Sequence, residues 1–513
     1  MLRSRARPRR LCDTEVVTDS RNPESRPDVS PFALTTDDIA GATGGRIVRR
    51  SSREIRQAAV DSRSVEPGNL FVALPGENTD GHLFLADAVA AGAAALLVGE
   101  GPEAEPGLAA LGPTAADVSI VAVPDTLLGM QAVAASWRSR FSPLVVGVTG
   151  SIAKTSTKEA VAAVLSQRFV TLKSEGNANN EVGLPLTVLR LGPEHEAAVL
   201  EMGMFVGGEI AQLAEIARPK IGVVTAVLGV HLSRIGSIDA VEAAKGELIE
   251  ALPADGTAVL NADDPRVARM KSRTAGRTIT YGFSRGADVR AEDVASAGLD
   301  GMTFTLVVPG GGVRVATPAL GRHGVHNGLA AAAVGLAAGL GLDAISAGLR
   351  LGWRAPHRDQ IVRIPGLTIL DDTYNASPAS MVAALNLLSS LPGRHVAVLG
   401  EMREMGEAHD RAHREVGLAA GRLVDELIVV GREAVGIADG AADLGDRVAT
   451  VPDIGAAMSV LRERLRDGDA VLVKASRGAA LERIVELIQS SYGGWTADAV
   501  VRGEARPIGE EIS

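Results

Sequence analysis

The sequence predicts an α/β protein of three domains, in which a central, doubly wound parallel sheet carries a phosphate-binding loop (P-loop) and a Rossmann-like domain follows it. Three observations predict this class. A strand, a glycine turn and a helix N-terminus succeed one another over 144–159. Strand-like and helical segments alternate over 143–353, and a second alternating series occupies 354–492.

The composition of the 513-residue chain is globular, and its length allows two to four domains. A formal net charge of −10 disfavours contact with a phosphate backbone, so we expect no nucleic-acid partner. The single cysteine, Cys12, cannot form an internal disulfide, which fits a reducing cytoplasm. The longest apolar run, 328–342, is too short to cross a bilayer. We therefore expect a cytoplasmic monomer without a membrane segment.

The composition also marks the ends of the domains. Residues 1–30 are rich in Arg, Pro, Ser and Asp and lack the apolar segment of a secretory signal, so we expect a disordered tail. We expect a first domain over 31–142, a central domain over 143–353 and a last domain over 354–492. A polar tail over 493–513 completes this division.

Within the first domain, the stretch 61–82 is dense in turn-forming residues and polar side chains. Ser62 offers a hydroxyl and Arg63 a guanidinium, which together suit a diphosphate or the edge of a uracil. A pair of hairpins with a surface arginine explains the same residues equally well.

The stretch 144–159 has the chemistry of a phosphate site. Its β-branched strand breaks at Gly147 and Gly150, where the backbone can take positive φ, and a helix is predicted from Lys154 to about 167. Free N–H groups and the helix dipole attract an anion there. Lys154 adds a charge, and Thr155 adds a hydroxyl that can coordinate Mg²⁺. The alternative is a strand-to-helix turn with a chance lysine.

Ala153 departs from the pattern of such loops. In the variant Thr-Gly-x-x-Gly-Lys-Thr, a glycine precedes the lysine, whereas this chain has Ala153. If the position requires positive φ, the methyl group costs about 1 kcal/mol. The loop can tolerate that cost, because it keeps its lysine and threonine.

Further strand-like runs predict where other polar residues gather. In the central domain they are 197–200, 221–225 and 257–260, and in the last domain 367–370, 396–399, 427–430 and 470–474. Parallel sheets bind ligands at the carboxyl ends of their strands, so we single out Glu201, His231 and, in the following helix, Lys245. The alternatives are a strand-end carboxylate for Glu201, a loop histidine for His231, and for Lys245 a salt bridge to Glu201 or to a phosphate.

Short motifs in a fixed order carry a resemblance to a known family. They are Asp-Ser-Arg at 61–63, Leu-Phe-Val-Ala-Leu-Pro-Gly at 70–76, the phosphate loop at 149–159, Asn-x-Asn-Asn-Glu-Val-Gly at 177–183, Glu-Met-Gly-Met at 201–204, Ala-Lys-Gly-Glu-Leu at 244–248, His-x-x-x-Asn at 323–327, Asp-Asp-Thr-Tyr-Asn at 371–375, Leu-Gly-Glu-Met at 399–402 and Lys-Ala-Ser-Arg at 474–477. In this order they resemble the Mur ligase family, whose three-domain architecture agrees with the predicted one.

The resemblance implies an ATP-dependent ligase that joins a carboxylate to an amine. The γ-phosphate of ATP passes to the carboxylate, and the amine attacks the resulting acyl phosphate. The motifs at 371–375 and 399–402 favour UDP-MurNAc-tripeptide as the acid and D-Ala-D-Ala as the amine, which is the last cytoplasmic step of peptidoglycan precursor synthesis. Two Mg²⁺ ions are implied as cofactors. Phosphoryl transfer to a carboxylate brings two anions together, so cations between them are needed on physical grounds as well.

The resemblance also implies residue roles. Lys154, Glu201, His231, Lys245 and Arg358 would be catalytic. ATP would contact Gly150, Ser151, Ile152, Ala153, Lys154, Thr155, Ser156, Asn327 (at the adenine), Arg358 (at the γ-phosphate), Asp372 (at the ribose) and Asn375. The UDP-linked substrate would contact Ser62, Arg63, Asn179 and Asn180. Thr155 and Glu201 would hold one Mg²⁺, and His231 and Lys245 a second. Asn327 could instead be a helix cap.

Lys245 fits this scheme only if it is modified, because an ammonium repels Mg²⁺ and offers it no lone pair. Addition of CO₂ to the neutral amine gives a carbamate, an anionic oxygen ligand of the kind that Mg²⁺ prefers. The matching lysine in the family is often modified in this way. The resemblance therefore implies a carbamylated Lys245.

Two rival functions are left open by the sequence. One is another ligase of the same superfamily, such as the enzyme that adds the third peptide residue or a folylpolyglutamate synthase. The other is a nucleotide-binding regulator that lost catalysis with the glycine at 153. The third residue of the tripeptide, diaminopimelate or lysine, is left open as well.

Overall fold

The computed structural model describes residues 32–76, 79–229 and 235–501, and in it three sheets follow one another along the chain. This arrangement confirms the predicted α/β class with three sheet-containing domains. The predicted tail at 1–30 lies outside the described residues.

The first sheet has five strands, which are β1 Arg46–Arg49, β2 Ala58–Ala59, β3 Leu70–Val72, β4 Ala95–Gly99 and β5 Ser119–Val123. Their order is β1-β5-β4-β3-β2, with β1 antiparallel to β5 and the other pairs parallel. Four helices accompany the sheet, namely α1 Thr36–Thr43, α2 Leu85–Ala90, α3 Glu105–Ala109 and α4 Thr126–Arg138. Strands β4 and β5 are buried along their whole length, as continuous apolar runs predict.

The central sheet has nine strands, which are β6 Leu144–Thr149, β7 Thr171–Lys173, β8 Ala197–Glu201, β9 Ile221–Val224, β10 Thr257–Asn261, β11 Arg277–Gly282, β12 Val289–Ser296, β13 Met302–Val308 and β14 Gly311–Thr317. Their order is β14-β13-β12-β11-β10-β9-β6-β8-β7. The pairs from β7 to β12 are parallel, and β13 and β14 add an antiparallel extension. The three runs predicted as strands in this domain all lie in this sheet.

In the described part of the central domain the helices are α5 Lys154–Leu165, α6 Gly183–Val188, α7 Glu209–Ala217, α8 Ile238–Glu250, α9 Pro265–Ala268, α10 Gly321–Ala337 and α11 Leu342–Leu351. The apolar run at 328–342 supplies most of α10, which packs against α5 inside the domain. Among the described residues, no helix has the length and apolar character needed to span a membrane.

The last sheet has six strands, which are β15 Gln360–Ile364, β16 Leu367–Asp371, β17 His395–Leu399, β18 Glu426–Val430, β19 Val448–Val451 and β20 Asp469–Lys474. Their order is β15-β16-β20-β17-β18-β19, parallel except for the edge strand β15. The helices around it are α12 Pro378–Ser389, α13 His409–Leu423, α14 Val435–Gly440, α15 Ile454–Arg464 and α16 Glu482–Val501.

The predicted start of the C-terminal tail needs a correction. Helix α16 does not end near 492 but continues to Val501. Residues 493–501 include Trp, Ala and Val, which propagate a helix that has already been nucleated, although they looked like a loose tail in isolation. The rest of the predicted tail, 502–513, lies outside the described residues.

Candidate active site

A cavity of about 450 Å³ opens between the central and last domains, at the carboxyl ends of their parallel strands. Strands β6 and β8 lead into it from one side, and β16 and β20 from the other. The predicted site residues that line it are Ser151, Ile152, Ala153, Lys154, Thr155, Ser156, Asn179, Asn180, Glu201, Asn327, Arg358, Asp372 and Asn375. The fold thus brings together residues that lie more than 200 positions apart in the chain.

The phosphate loop turns sharply between β6 and α5. Gly150 has a φ of 151°, and a Cβ placed there would lie 1.8 Å from Thr225 Oγ1, so only glycine fits. Thr225 Oγ1 donates to the carbonyl of Ile152 at 2.6 Å, which fixes the loop against β9. Ala153 has a φ of 62°, which is the left-handed conformation. The predicted cost of about 1 kcal/mol for placing a methyl group there therefore applies.

Lys154 is folded back over this loop, with Nζ donating to the carbonyl of Gly150 at 2.9 Å. Burial lowers the pKa of Lys154, the Glu201 carboxylate raises it, and the nearby Arg358 guanidinium lowers it. Two cations from different domains therefore repel each other across the cavity. A polyphosphate between them would remove that repulsion.

Thr155 and Glu201 each leave one buried oxygen without a partner. Thr155 Oγ1 forms no hydrogen bond, and Glu201 Oε2 accepts none. The other carboxylate oxygen of Glu201 accepts a hydrogen bond from Asn179 Nδ2 at 2.7 Å. Buried polar atoms are normally paired, so these two are available to a ligand. A hydroxyl and a carboxylate oxygen are ligands that fit Mg²⁺.

The other predicted metal ligands have different surroundings. Lys245 lies in α8, is 2% exposed and makes no ion pair with Glu201 or any other described residue. Burial, and after it the charge of Lys154, lower the pKa of Lys245 well below its usual value. His231 lies outside the described residues. Within the described chain, no cluster of three His, Cys, Asp or Glu side chains is placed to hold a metal.

Arg358 enters the cavity from the segment between α11 and β15. Its guanidinium carbon lies 3.9 Å from the centre of the Tyr374 ring, a cation–π contact. Its buried Nε has no hydrogen-bond partner. The tyrosine thus holds the arginine in place while leaving one donor available to a ligand.

Two ion pairs that the sequence did not predict lie in the cleft beside these residues. His323 of α10 lies 2.9 Å from Asp359, and Lys474 at the end of β20 lies 2.6 Å from Asp372. Burial raises the pKa of Asp372, and the Lys474 ammonium opposes that shift. The Asp372 carboxylate, predicted to meet a ribose, is therefore already paired with Lys474. The motif at 474–477 was the available signal for this contact.

A second cavity of about 210 Å³ adjoins the phosphate loop at Ile152 and Ala153. Its walls include Phe283, covered by Arg322 at 4.1 Å from the ring centre, and Asn327. Asn327 lies in the interior of α10, so the alternative that it caps a helix is wrong. Phe283 and Arg322 thus give the cavity a flat wall of the kind that a planar base can pack against.

Ser62 and Arg63 lie in the first domain and do not line the cavity at the phosphate loop. The Arg63 side chain is 88% exposed and pairs with Asp61 at 2.6 Å. The structure therefore groups Asn179 and Asn180 with the phosphate loop, and leaves Ser62 and Arg63 apart from it.

Three family models match consecutive parts of the chain. They describe the Mur ligase family catalytic domain at 54–138, the Mur ligase middle domain at 148–335 and the Mur ligase glutamate ligase domain at 357–477. Each match falls on one of the three sheets.

Individual proteins show the same likeness. The UDP-N-acetylmuramoyl-tripeptide–D-alanyl-D-alanine ligase of Escherichia coli K12 is 38% identical over 438 residues, which are 84% of this chain and 93% of that protein. A crystal structure of MurF from Acinetobacter baumannii is 29% identical with a TM-score of 0.80, over 90% of this chain and all of that one. MurF from Thermotoga maritima in complex with ADP, also 29% identical, has a TM-score of 0.74 over 85% of this chain and 97% of that one. On its sequence and its fold, this chain belongs to the Mur ligase family.

Proposed function

We propose that this protein is an ATP-dependent ligase that joins D-alanyl-D-alanine to UDP-N-acetylmuramoyl-tripeptide and releases ADP and phosphate. The reaction is the last cytoplasmic step of peptidoglycan precursor synthesis. One observation supports it most: the phosphate loop with Lys154 faces Arg358 of the opposite domain across one cavity. A relative with the matching name, 38% identical over most of the chain, supports the choice of substrates.

ATP would lie along the phosphate loop. Its phosphates would meet the N–H groups at the start of α5 together with Lys154, and its base would enter the second cavity beside Asn327. Arg358 would reach the γ-phosphate through the donor that is now without a partner. Asn375 lines the same cavity on the side of the last domain, where it would help to enclose the nucleotide.

The chemistry would follow in two steps. A carboxylate oxygen of the tripeptide attacks the γ-phosphorus of ATP, and the bond from that phosphorus to the bridging oxygen of ADP breaks. The D-Ala-D-Ala amine then attacks the acyl carbon, loses a proton and expels inorganic phosphate. Lys154 and Arg358 would offset the negative charge of the first step. The carboxylate and the amine of the substrates are the two nucleophiles, so none is needed on the protein.

Thr155 and Glu201 would hold a Mg²⁺ ion through the two buried oxygens that lack partners. When bound, the ion would supply positive charge at the phosphate oxygens. His231 and a carbamylated Lys245 would hold a second ion. Lys245 is buried and forms no ion pair with any described residue. This supports the role, because an ordinary charged lysine in that position would be uncompensated by those residues.

The UDP-linked substrate would contact Asn179 and Asn180 at its reacting end and Ser62 and Arg63 at its nucleotide end. The separation between these two pairs supports an extended substrate that reaches from the first domain to the cavity. We propose further that the enzyme acts as a cytoplasmic monomer.

The proposal is tested by measuring which amine the enzyme accepts. With ATP, Mg²⁺ and UDP-MurNAc-tripeptide, ADP release should require D-Ala-D-Ala and should not respond to a free diamino acid or to glutamate. Release with a diamino acid and UDP-MurNAc-dipeptide, or with glutamate and a folate, would replace the proposal with another ligase. ATP binding without substrate-dependent ADP release would favour the regulator instead.

A further inference from the structure

Arg477 lies at the cavity, and the proposed reaction assigns it no role. It follows β20 and opens the short helical turn Arg477–Ala479, with its side chain exposed at the cavity. Its guanidinium carbon lies 5.5 Å from the centre of the Tyr374 ring. Among the described residues it forms no ion pair, so its charge faces the cavity uncompensated.

The charge of a neighbouring arginine, in contrast, is compensated by a carboxylate. Arg403 lines the same cavity, but its Nε lies 2.5 Å from Glu401 Oε1. A Cβ at Gly478 would lie 1.9 Å from Arg403 Nη1, so the glycine after Arg477 leaves room for this ion pair. Of these two adjacent arginines, only Arg477 therefore lacks a carboxylate.

The shared contact with Tyr374 sets an upper limit on the distance between Arg477 and Arg358. Both guanidinium groups contact the Tyr374 ring, so their carbons lie at most about 9.4 Å apart, the sum of 3.9 and 5.5 Å. An extended dipeptide spans about 7 Å. An acceptor whose amine reaches the acyl phosphate near Arg358 can therefore place its other end beside Arg477.

The cavity wall beside the tyrosine also matches such an acceptor. Ala376, Ala379 and Ala383 line it and offer small apolar surfaces. Two alanine methyl groups fit surfaces of this kind.

From this geometry we infer that Arg477 binds the C-terminal carboxylate of the dipeptide acceptor and so makes that free carboxylate a requirement for tight binding. The guanidinium can donate two parallel hydrogen bonds to a carboxylate, a pairing that a lysine cannot reproduce. This inference rests on the proposed function, because it takes D-Ala-D-Ala as the acceptor.

The test compares two acceptors, D-Ala-D-Ala and its C-terminal amide, with the wild type and with Arg477→Gln. In the wild type, the KM for the amide should exceed that for the free dipeptide by about 10- to 100-fold. Arg477→Gln should raise the KM for the free dipeptide by a similar factor and leave that for the amide unchanged. The KM values for ATP and the tripeptide substrate should stay constant. Arg477→Lys should recover only part of the preference.

Arg403→Gln is the matched control, because it removes a neighbouring arginine that already has a carboxylate, and it should keep the preference for the free dipeptide. Turnover of the amide by Arg477→Gln shows that the variant is folded. An unchanged preference in Arg477→Gln, or an equal loss with both acceptors, would overturn the role of Arg477 alone. If the wild type releases no ADP with D-Ala-D-Ala, the proposed function is overturned together with it.

Discussion

The Nζ of Lys158 lies 2.6 Å from the carbonyl oxygen of Ser174, inside the central domain. The same ammonium donates to the carbonyl of Gly176 at 3.1 Å and lies 3.1 Å from Glu159. The hydroxyl of Ser174 in turn accepts from the backbone N–H of Glu201 at 3.1 Å. A lysine from the phosphate-loop helix thus fixes the segment that positions the proposed Mg²⁺ ligand.

Lys158→Met should lower the free energy of unfolding by about 3 kcal/mol, because it leaves two carbonyls and a carboxylate without their buried cation. Urea denaturation monitored by circular dichroism measures this loss. Lys173→Met is the control, since Lys173 pairs with the same Glu159 but is 45% exposed. It should cost no more than about 1 kcal/mol, and equal losses in the two variants would contradict the account.

Ala153→Gly should raise the free energy of unfolding by up to about 1 kcal/mol, because glycine takes the left-handed conformation of this position without strain. The thermal midpoint reports the change. Ala162→Gly, in the interior of α5, should have the opposite effect by a similar amount. A loss of stability in Ala153→Gly would show that the methyl group is not strained there.

Lys245→Ala should lose most activity and regain part of it when a small carboxylic acid such as formate is added, because the acid can occupy the place of the carbamate. Lys220→Ala is the control, since Lys220 is 41% exposed and pairs with Asp255, and it should need no rescue. Full activity of Lys245→Ala without added acid would exclude the carbamate.

The ion pair between His323 and Asp359 should make stability depend on pH. Burial favours the neutral ring and lowers the pKa of His323, and the Lys474 ammonium lowers it slightly further. The carboxylates of Asp359 and, to a smaller extent, Asp372 raise the pKa by more, so the net shift is upward. The pair therefore contributes fully below about pH 6.5, the ordinary value, and its contribution is lost as the pH rises through the raised value. The difference in thermal midpoint between wild type and His323→Gln should shrink from about pH 6 to about pH 9. A difference that is constant with pH would contradict this.

Local patterns were enough to predict most of the architecture. The short apolar runs of four or five residues became strands, whereas the longest run, 328–342, became most of α10. The phosphate loop could be predicted because its glycines, Lys154 and Thr155 lie close together in the sequence. Partners far apart in the chain could not be predicted in this way. The pair of Lys474 with Asp372 and the contact of Arg477 with Tyr374 each join segments about 100 residues apart, so they depend on how the last sheet folds. The continuation of α16 to Val501 was missed because a helix propagates beyond the residues that nucleate it.

In the proposed reaction, ATP activates the carboxylate of the tripeptide substrate as an acyl phosphate. The most direct measurement follows UDP-MurNAc-tripeptide labelled with ¹⁸O in the carboxylate that reacts, incubated with ATP and D-Ala-D-Ala. Each turnover should transfer one ¹⁸O atom from that carboxylate to the inorganic phosphate, which mass spectrometry detects. Unlabelled phosphate, or label recovered in AMP, would contradict it.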